Sequence, residues 1–374
     1  MSRKNKKRNH QEKPLSIPVI ALIIAGAAAI LAGAIFISSR LDRNISAKGI
    51  STDSFEPRSE EKGYERGSIK IKKTTYDYYH SFENYLIMGT DGSGIETEEA
   101  FANDMADYLL LLSIDRSANT YSLLEIDRDT IATINLINAQ GKGSATAKQQ
   151  ICMAHAYGGT KEIGHKNMVR AVSTLLGGLP IMGYYVVDMD DIGKLNHAIG
   201  GVTVTLKDDF TKQDKSMKKG ATLKLTDEQA AIYLRARMSV GKGTNEERMN
   251  RQHTYLEGFL TQSVEKIKLR PKYFEEILEE TGEFADSNLT NQQLSRIAKA
   301  LTENERKGIF RFEGTHKEGD VLNDGQPHME FYPKAASVRE ILTEMFELKV
   351  RPKATPKPEE SEAAEPADES KKAA

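Results

Sequence analysis

Two kinds of side chain stand where they could act on one substrate. Asp91 follows the apolar run Tyr85–Met88 in Gly89-Thr90-Asp91-Gly92, and Asp107 immediately precedes the run Tyr108–Ile114. Two carboxylates converging at strand ends could hold Mg²⁺, a hard cation that prefers oxygen ligands and often bridges substrate phosphates. Carboxylates in such loops also commonly do turn and capping work. Arg128-Asp129-Thr130 follows the run Tyr121–Ile126. An arginine there could direct two parallel hydrogen bonds onto a phosphate, with Asp129 beside the substrate, or simply pair with Asp129 at the surface. Arg235, Arg237, Arg248 and Arg251 fall within seventeen residues, and Gln252 follows. Basic residues in a last helical turn suit the helix dipole, but arginine rather than lysine recurs, as bidentate phosphate recognition demands. His155 is a lone histidine without a partner at a useful spacing, and Cys152 reads as a small buried apolar group. Carboxylates for a cation, several arginines and no nucleophilic triad together point to electrostatic chemistry on phosphates.

Those residues need elements to place them. Tyr85–Met88, Tyr108–Ile114, Tyr121–Ile126, Tyr184–Met189 and Val202–Leu206 are short runs rich in aromatic and β-branched residues and read as strands. Between them, Glu162–Leu176 has helical apolar spacing and stops at Gly177–Gly178. Thr226 before Asp227 and Glu228 opens a helix through Gln229–Arg237, and Glu246–Gln262 is a further helix. Strands separated by helices predict an α/β fold layered around a sheet. Further on, Asn288–Glu303 and Ser337–Phe346 read as amphipathic helices, and Gly308–Glu313 and Met329–Tyr332 as strands added at the edge of the same domain.

The 374 residues carry 52 Lys+Arg and 54 Asp+Glu, so net charge offers no general case for nucleic-acid binding. The single cysteine excludes an internal disulfide, and no zinc-ligand pair is present. Arg3, Lys4, Lys6, Lys7, Arg8 and Lys13 precede an uncharged stretch from Pro14 to Ser39, ended by Arg40, Asp42 and Arg43. A bilayer core takes about 20 apolar residues, and the basic flank places the N-terminus in the cytoplasm. A cleaved signal peptide would have a shorter apolar region and a small-residue cleavage site. The expected organisation is a basic cytoplasmic tail (1–14), a transmembrane helix (15–39), a stalk (40–80), an extracytoplasmic catalytic domain (81–350, with core 84–262 and C-terminal extension 263–350) and a disordered Pro-rich tail (351–374).

Residues 84 to about 262 resemble the LytR-CpsA-Psr family of bacterial cell-wall enzymes. The likeness runs through Asn84–Asp91, then Asp107–Ile114, then Glu125–Thr130, similar to the family's "IPRDT". It continues through Ala154–Gly159 ("AYAYGG"), Ala198–Val202 ("ALGGV"), Leu225–Ala230 ("LNGEQAL"), Tyr233–Arg237 ("YVRMR") and Arg248–Gln252 ("RxxRQ"). The ordered set is specific where no single motif is.

The resemblance implies a three-layer α/β/α sandwich with a central mixed sheet and an apolar pocket for a lipid chain. It implies a Mg²⁺-dependent phosphotransferase that moves a glycopolymer, teichoic-acid-like or capsular, from a polyprenyl-pyrophosphate carrier to peptidoglycan. The family's metal aspartates match Asp91 and Asp107, its pyrophosphate arginines match Arg128, Arg235 and Arg237, and its later polar positions match Arg248 and Gln252. The departures are Ser93 where the family has arginine, Met105-Ala106-Asp107 for "RSD", Tyr108 for threonine, and Gln150-Ile151-Cys152 for "KIN", with Lys148 nearby. Hydrolysis of the same lipid, or sensing it without turnover, are the alternatives. A DNA-binding regulator conflicts with an extracytoplasmic domain and with the lack of a basic recognition helix.

Overall fold

The computed structural model describes residues 67–78, 81–91, 104–137, 143–157 and 160–352. The expected transmembrane helix, its basic flank, the first part of the stalk, Ser93 and the Pro-rich tail beyond residue 352 lie outside the described residues. Among those described, no helix is long and apolar enough to cross a membrane.

The strands are β1 (Gly67–Ile71), β2 (Thr74–Tyr78), β3 (Phe82–Thr90), β4 (Ala106–Asp115), β5 (Thr120–Ile126), β6 (Ile131–Ile137), β7 (Gly143–Gln150), β8 (Gly183–Asp188), β9 (Thr203–Thr205), β10 (Thr222–Lys224), β11 (Ala285–Ser287), β12 (Glu305–Arg311), β13 (Gly314–Gly319), β14 (His328–Pro333) and β15 (Lys349–Val350). The helices are α1 (Met153–Ala156), α2 (Lys161–Leu175), α3 (Ile192–Ala198), α4 (Asp227–Arg235), α5 (Asn245–Leu269), α6 (Lys272–Thr281), α7 (Asn291–Glu303) and α8 (Ala335–Phe346).

Among the described residues, six strands form the central sheet in the order β11-β8-β3-β4-β5-β12. β8 runs parallel to β3 and β12 parallel to β5, while the other three pairings are antiparallel, so the sheet is mixed. Side chains alternate across it. Tyr85, Leu110, Leu112 and Leu123 face one way and pack with Leu260 of α5 and Ala300 of α7. Leu86, Leu111 and Leu124 face the other way and are 0% exposed. Tyr184 is the register partner of Leu86 and so shares its face. The His165 ring of α2 lies 5.1 Å from the Tyr184 ring. Helices therefore cover both faces, giving the expected three layers. A buried leucine of this kind contributes roughly 1.5–3 kcal/mol, which makes the sheet a stiff platform.

The helix signals read from the sequence have physical counterparts. Thr226 caps α4 reciprocally with Gln229. Helix α2 stops at Gly177, whose φ of +75° favours glycine and where a Cβ would sit 2.4 Å from the Lys70 carbonyl oxygen. Two expectations change. Helix α4 ends at Arg235, so Arg237 lies in the following loop. The strand around Met329–Tyr332 is not at the edge of the main sheet but pairs with β13 as a hairpin, touching the core by a bridge from Phe331 to Thr130. By contrast β12, where Gly308–Glu313 was expected to extend, does add to the sheet edge.

Candidate active site

The aspartates sit where β3 and β4 come out of register. Gly89 pairs with Tyr108 and Thr90 with Ala106, so Asp107 is the extra residue of a bulge. A bulge re-aims a side chain out of the regular alternation. Asp91 continues the ladder through its N–H to the Met105 carbonyl, 3.0 Å. Both carboxylates thus leave the same end of the sheet.

Asp107 is gripped from two elements. Arg128 donates from Nη1 to Oδ1, and Arg248, in the first turns of α5, donates from Nη1 to Oδ2 at 2.8 Å. Arg128 projects from a tight turn after β5. There Asp129 N–H donates to Asp127 Oδ1 (2.9 Å) and Thr130 N–H to Asp127 O (3.0 Å), an Asx-type turn. The remaining Arg128 nitrogens approach Met105 Sδ and Cys152 Sγ, both at 3.2 Å, and Asp129 Oδ1 at 3.5 Å. Asp129 is buried, and burial together with the Asp127 charge lifts its pKa to about 6 against the pull of Arg128, Arg237 and Arg248. Burial raises the Cys152 thiol to about 11, which keeps it protonated at neutral pH.

Asp91 belongs to a more open cluster. Arg235 at the end of α4 donates to Asp91 Oδ1 at 3.1 Å and to Asp190, which stands in the short 3₁₀ turn after β8. These side chains are 40–61% exposed, so the pairs are worth little and a more highly charged anion can compete for the guanidinium. Arg237 donates from Nε to the Gly243 carbonyl at 3.3 Å.

Arg251 has a different task. Its Nε donates to Tyr233 O (3.0 Å), Nη2 to Ala236 O, and Nη1 to Asp208 (3.2 Å). All three nitrogens meet protein acceptors, so this buried residue clamps the last turn of α4 against α5. Lys148 is exposed on β7, while Gln150 turns inward to the Met329 carbonyl (2.6 Å) and Asp129 Oδ1 (3.4 Å). His155 is fully buried with Nδ1 2.7 Å from the Asp104 carbonyl, and burial lowers its pKa to about 4. It is a neutral structural group.

Three participants were not read from the sequence. Asn245 Oδ1 accepts from Arg248 Nε and Nη2 at 3.2 and 2.8 Å. Its Nδ2 donates to Asp127 Oδ1 at 2.9 Å. His316 of β13 lies with Nε2 2.7 Å from Asp127 Oδ2.

An apolar cavity of about 290 Å³ lies between the sheet and helices α5 to α7. Gly89 and Tyr108 are part of its wall, and they flank Asp91 and Asp107 in the chain. Helix α5 joins the two environments. Residues four apart share a helix face, and along one face α5 presents Arg248 to Asp107, then Gln252, Leu256 and Leu260 to the cavity. The polar cluster therefore borders a greasy compartment.

Among the described residues, no group of three or more metal-ligating side chains is assembled. Mg²⁺ commonly uses one or two carboxylates plus substrate phosphates. Asp91 and Asp107, hard oxygen donors at one sheet end, fit a cation that binds together with a phosphorylated ligand.

A family model for the LytR_cpsA_psr family matches residues 50–347. The chain belongs to the LytR-CpsA-Psr family. Among curated relatives, it is 26% identical over 214 residues to the polyisoprenyl-teichoic acid–peptidoglycan teichoic acid transferase TagU of Bacillus cereus. That match covers 57% of this chain and 63% of the relative, so the chain spans less than two thirds of that protein's length. Two solved LytR-CpsA-Psr structures share the fold. TagV of Bacillus subtilis has a TM-score of 0.53 at 21% identity, covering 72% of this chain and 98% of that one. TagT bound to LI-WTA also has a TM-score of 0.53, at 17% identity, covering 78% and 98%. The mixed α/β architecture expected for the LytR-CpsA-Psr family is thus the one observed.

Proposed function

We propose that this chain is a phosphotransferase that moves a glycopolymer from a polyprenyl-pyrophosphate carrier to peptidoglycan, with teichoic acid or a capsular polysaccharide as cargo. The observation that carries the reading is the continuity along α5 of an arginine–carboxylate cluster with an apolar cavity. A molecule with a charged pyrophosphate and a long hydrocarbon chain is the ligand that uses both. The transferase named TagU among the relatives agrees with this class of reaction.

In this reading the isoprenoid occupies the cavity and the pyrophosphate lies among Arg128, Arg235, Arg237 and Arg248. Asp91 and Asp107 are the residues that would hold Mg²⁺, which when bound would neutralise pyrophosphate charge. Arriving pyrophosphate competes with Asp91 and Asp190 for Arg235. The arginines stabilise charge that develops on the phosphoryl oxygens. A peptidoglycan sugar hydroxyl attacks the phosphorus that bears the glycan. Its O–P bond forms, the bond to polyprenyl phosphate breaks, polyprenyl phosphate leaves and the hydroxyl proton is released. Gln252, between head group and cavity, contacts the junction of the two. We further propose a single-pass anchor over residues 15–39, with the N-terminus in the cytoplasm and the site outside.

The test is incubation of the full chain with Mg²⁺, a synthetic polyprenyl-pyrophosphate glycan and peptidoglycan oligomers, followed by mass spectrometry. Glycan joined to peptidoglycan through one phosphate, and lost in Asp107→Ala, supports transfer. Glycan phosphate released without conjugate means hydrolysis instead, and lipid bound but unchanged means a sensor.

A further inference from the structure

We propose that His316, on the C-terminal hairpin, is a positioning residue for Arg248, acting through Asp127 and Asn245. The inference rests on the site reading above and assigns it a part that lies outside the 84–262 core.

The argument is one of hydrogen-bond polarity. An amide has one accepting and one donating end. Asn245 Oδ1 accepts from two Arg248 nitrogens, so its Nδ2 must face away from the guanidinium. It is held that way by the Asp127 carboxylate, 2.9 Å distant. A flipped amide would aim N–H groups at a cation. Asp127 therefore fixes the Asn245 orientation, and Asn245 fixes the Arg248 plane that reaches Asp107. The Asp127 side chain is 5% exposed. Its Oδ1 also takes the Asp129 N–H, and its Oδ2 faces His316 Nε2. A carboxylate only accepts, so His316 donates. Without that donor a buried carboxylate oxygen loses its partner, at a cost large enough to let the carboxylate turn.

The hairpin is docked at this place by independent contacts. Phe331 N–H donates to Asp129 O at 2.8 Å, Gln150 Nε2 reaches Met329 O, and the His316 ring packs on Phe331 at 4.6 Å. His316 thus arrives at Asp127 on a braced strand. The charged groups facing it are Asp127, Asp129 and Glu246, and the bond to Asp127 leads the effects that raise its pKa above the ordinary histidine value.

The experiment compares wild type, His316→Ala and His316→Gln, whose amide can donate but cannot titrate. Affinity for geranylgeranyl pyrophosphate with Mg²⁺ and glycan transfer are measured from pH 5.5 to 9, with melting temperature as control. His316→Ala is expected to weaken binding and transfer about tenfold at pH 6. His316→Gln, whose amide keeps a donor toward Asp127, is expected to restore most of that loss across the pH range. Wild-type behaviour of His316→Ala, or His316→Gln as impaired as His316→Ala, overturns the proposal. NMR tests the chain without turnover: the His316 titration should fall in Asp127→Asn, and the Arg248 Nε–H signal should move in His316→Ala. Failure of both shifts refutes the positioning chain. Both shifts without any binding or transfer by wild type would instead refute the phosphotransferase reading.

Discussion

Asp107 carries more of the site than its neighbours because two guanidinium groups from separate elements meet on it. Asp107→Ala is expected to lower transfer by about 10² to 10³, the scale seen when a transition-state charge partner is removed, as followed by conjugate formation. Asp104 offers a separate test of electrostatics. It is buried, its Oδ1 has no hydrogen-bond partner among the described residues, and burial lifts its pKa to about 6. A folded pKa raised above the unfolded value of about 3.9 means that a stability contribution present below pH 4 is lost as pH climbs through 6. Urea denaturation of Asp104→Asn should show a stability gain over wild type that is about 2 to 3 kcal/mol larger at pH 7 than at pH 4. An unchanged difference would remove the burial argument. Asp91, Asp107 and the arginines were legible as charged residues beside apolar runs, but such residues are common at strand and helix ends, and it was the ordered family resemblance that marked them as one site. Asn245, Asp127 and His316 left no such mark. They meet across 118 and 189 residues of sequence, and neither separation corresponds to a local period.

Among elements, α5 does two jobs that its pattern only half displayed. Its apolar spacing was legible over Glu246–Gln262, but its full length to Leu269 was not, since Glu265, Lys266 and Lys268 look like a solvated end. Arg251 was read with the phosphate arginines because of its company in Arg248-Met249-Asn250-Arg251-Gln252. The fold uses it instead to satisfy carbonyls that helix α4 leaves unpaired at its end. Arg251→Ala is expected to destabilise the chain by about 2 to 4 kcal/mol through the orphaned carbonyls and Asp208. Chemical denaturation measures this, and stability equal to wild type would return Arg251 to the list of substrate contacts. The β6–β7 ribbon escaped the sequence reading because Gly143–Gln150 is almost wholly small or polar. Its strand character comes from pairing with β6, not from its own composition.

At the scale of the molecule, β3, β4, β5 and β8 and helices α2, α4, α5, α7 and α8 were legible because buried strands need continuous apolar runs and covering helices need amphipathic ones, whereas the three-residue strand β11 and helices α3 and α6 were not read. The resemblance implied an apolar pocket, but its lining could not be read, since lining residues and packed core residues are the same types. Filling it tests its use. Leu256→Trp places an indole in the wall and should weaken geranylgeranyl pyrophosphate binding by tenfold or more. Melting temperature should stay within a few degrees of wild type. Unaltered affinity would place the lipid elsewhere.

The same 290 Å³ compartment has a mechanical consequence. Internal volume that disappears on unfolding gives hydrostatic pressure a lever on the folding equilibrium. This protein should accordingly unfold at lower pressure than a close-packed α/β domain of its size. A hydrocarbon chain seated in the compartment should restore resistance in proportion to its length, so a series of isoprenoid phosphates would act as a ruler for the depth of the cavity.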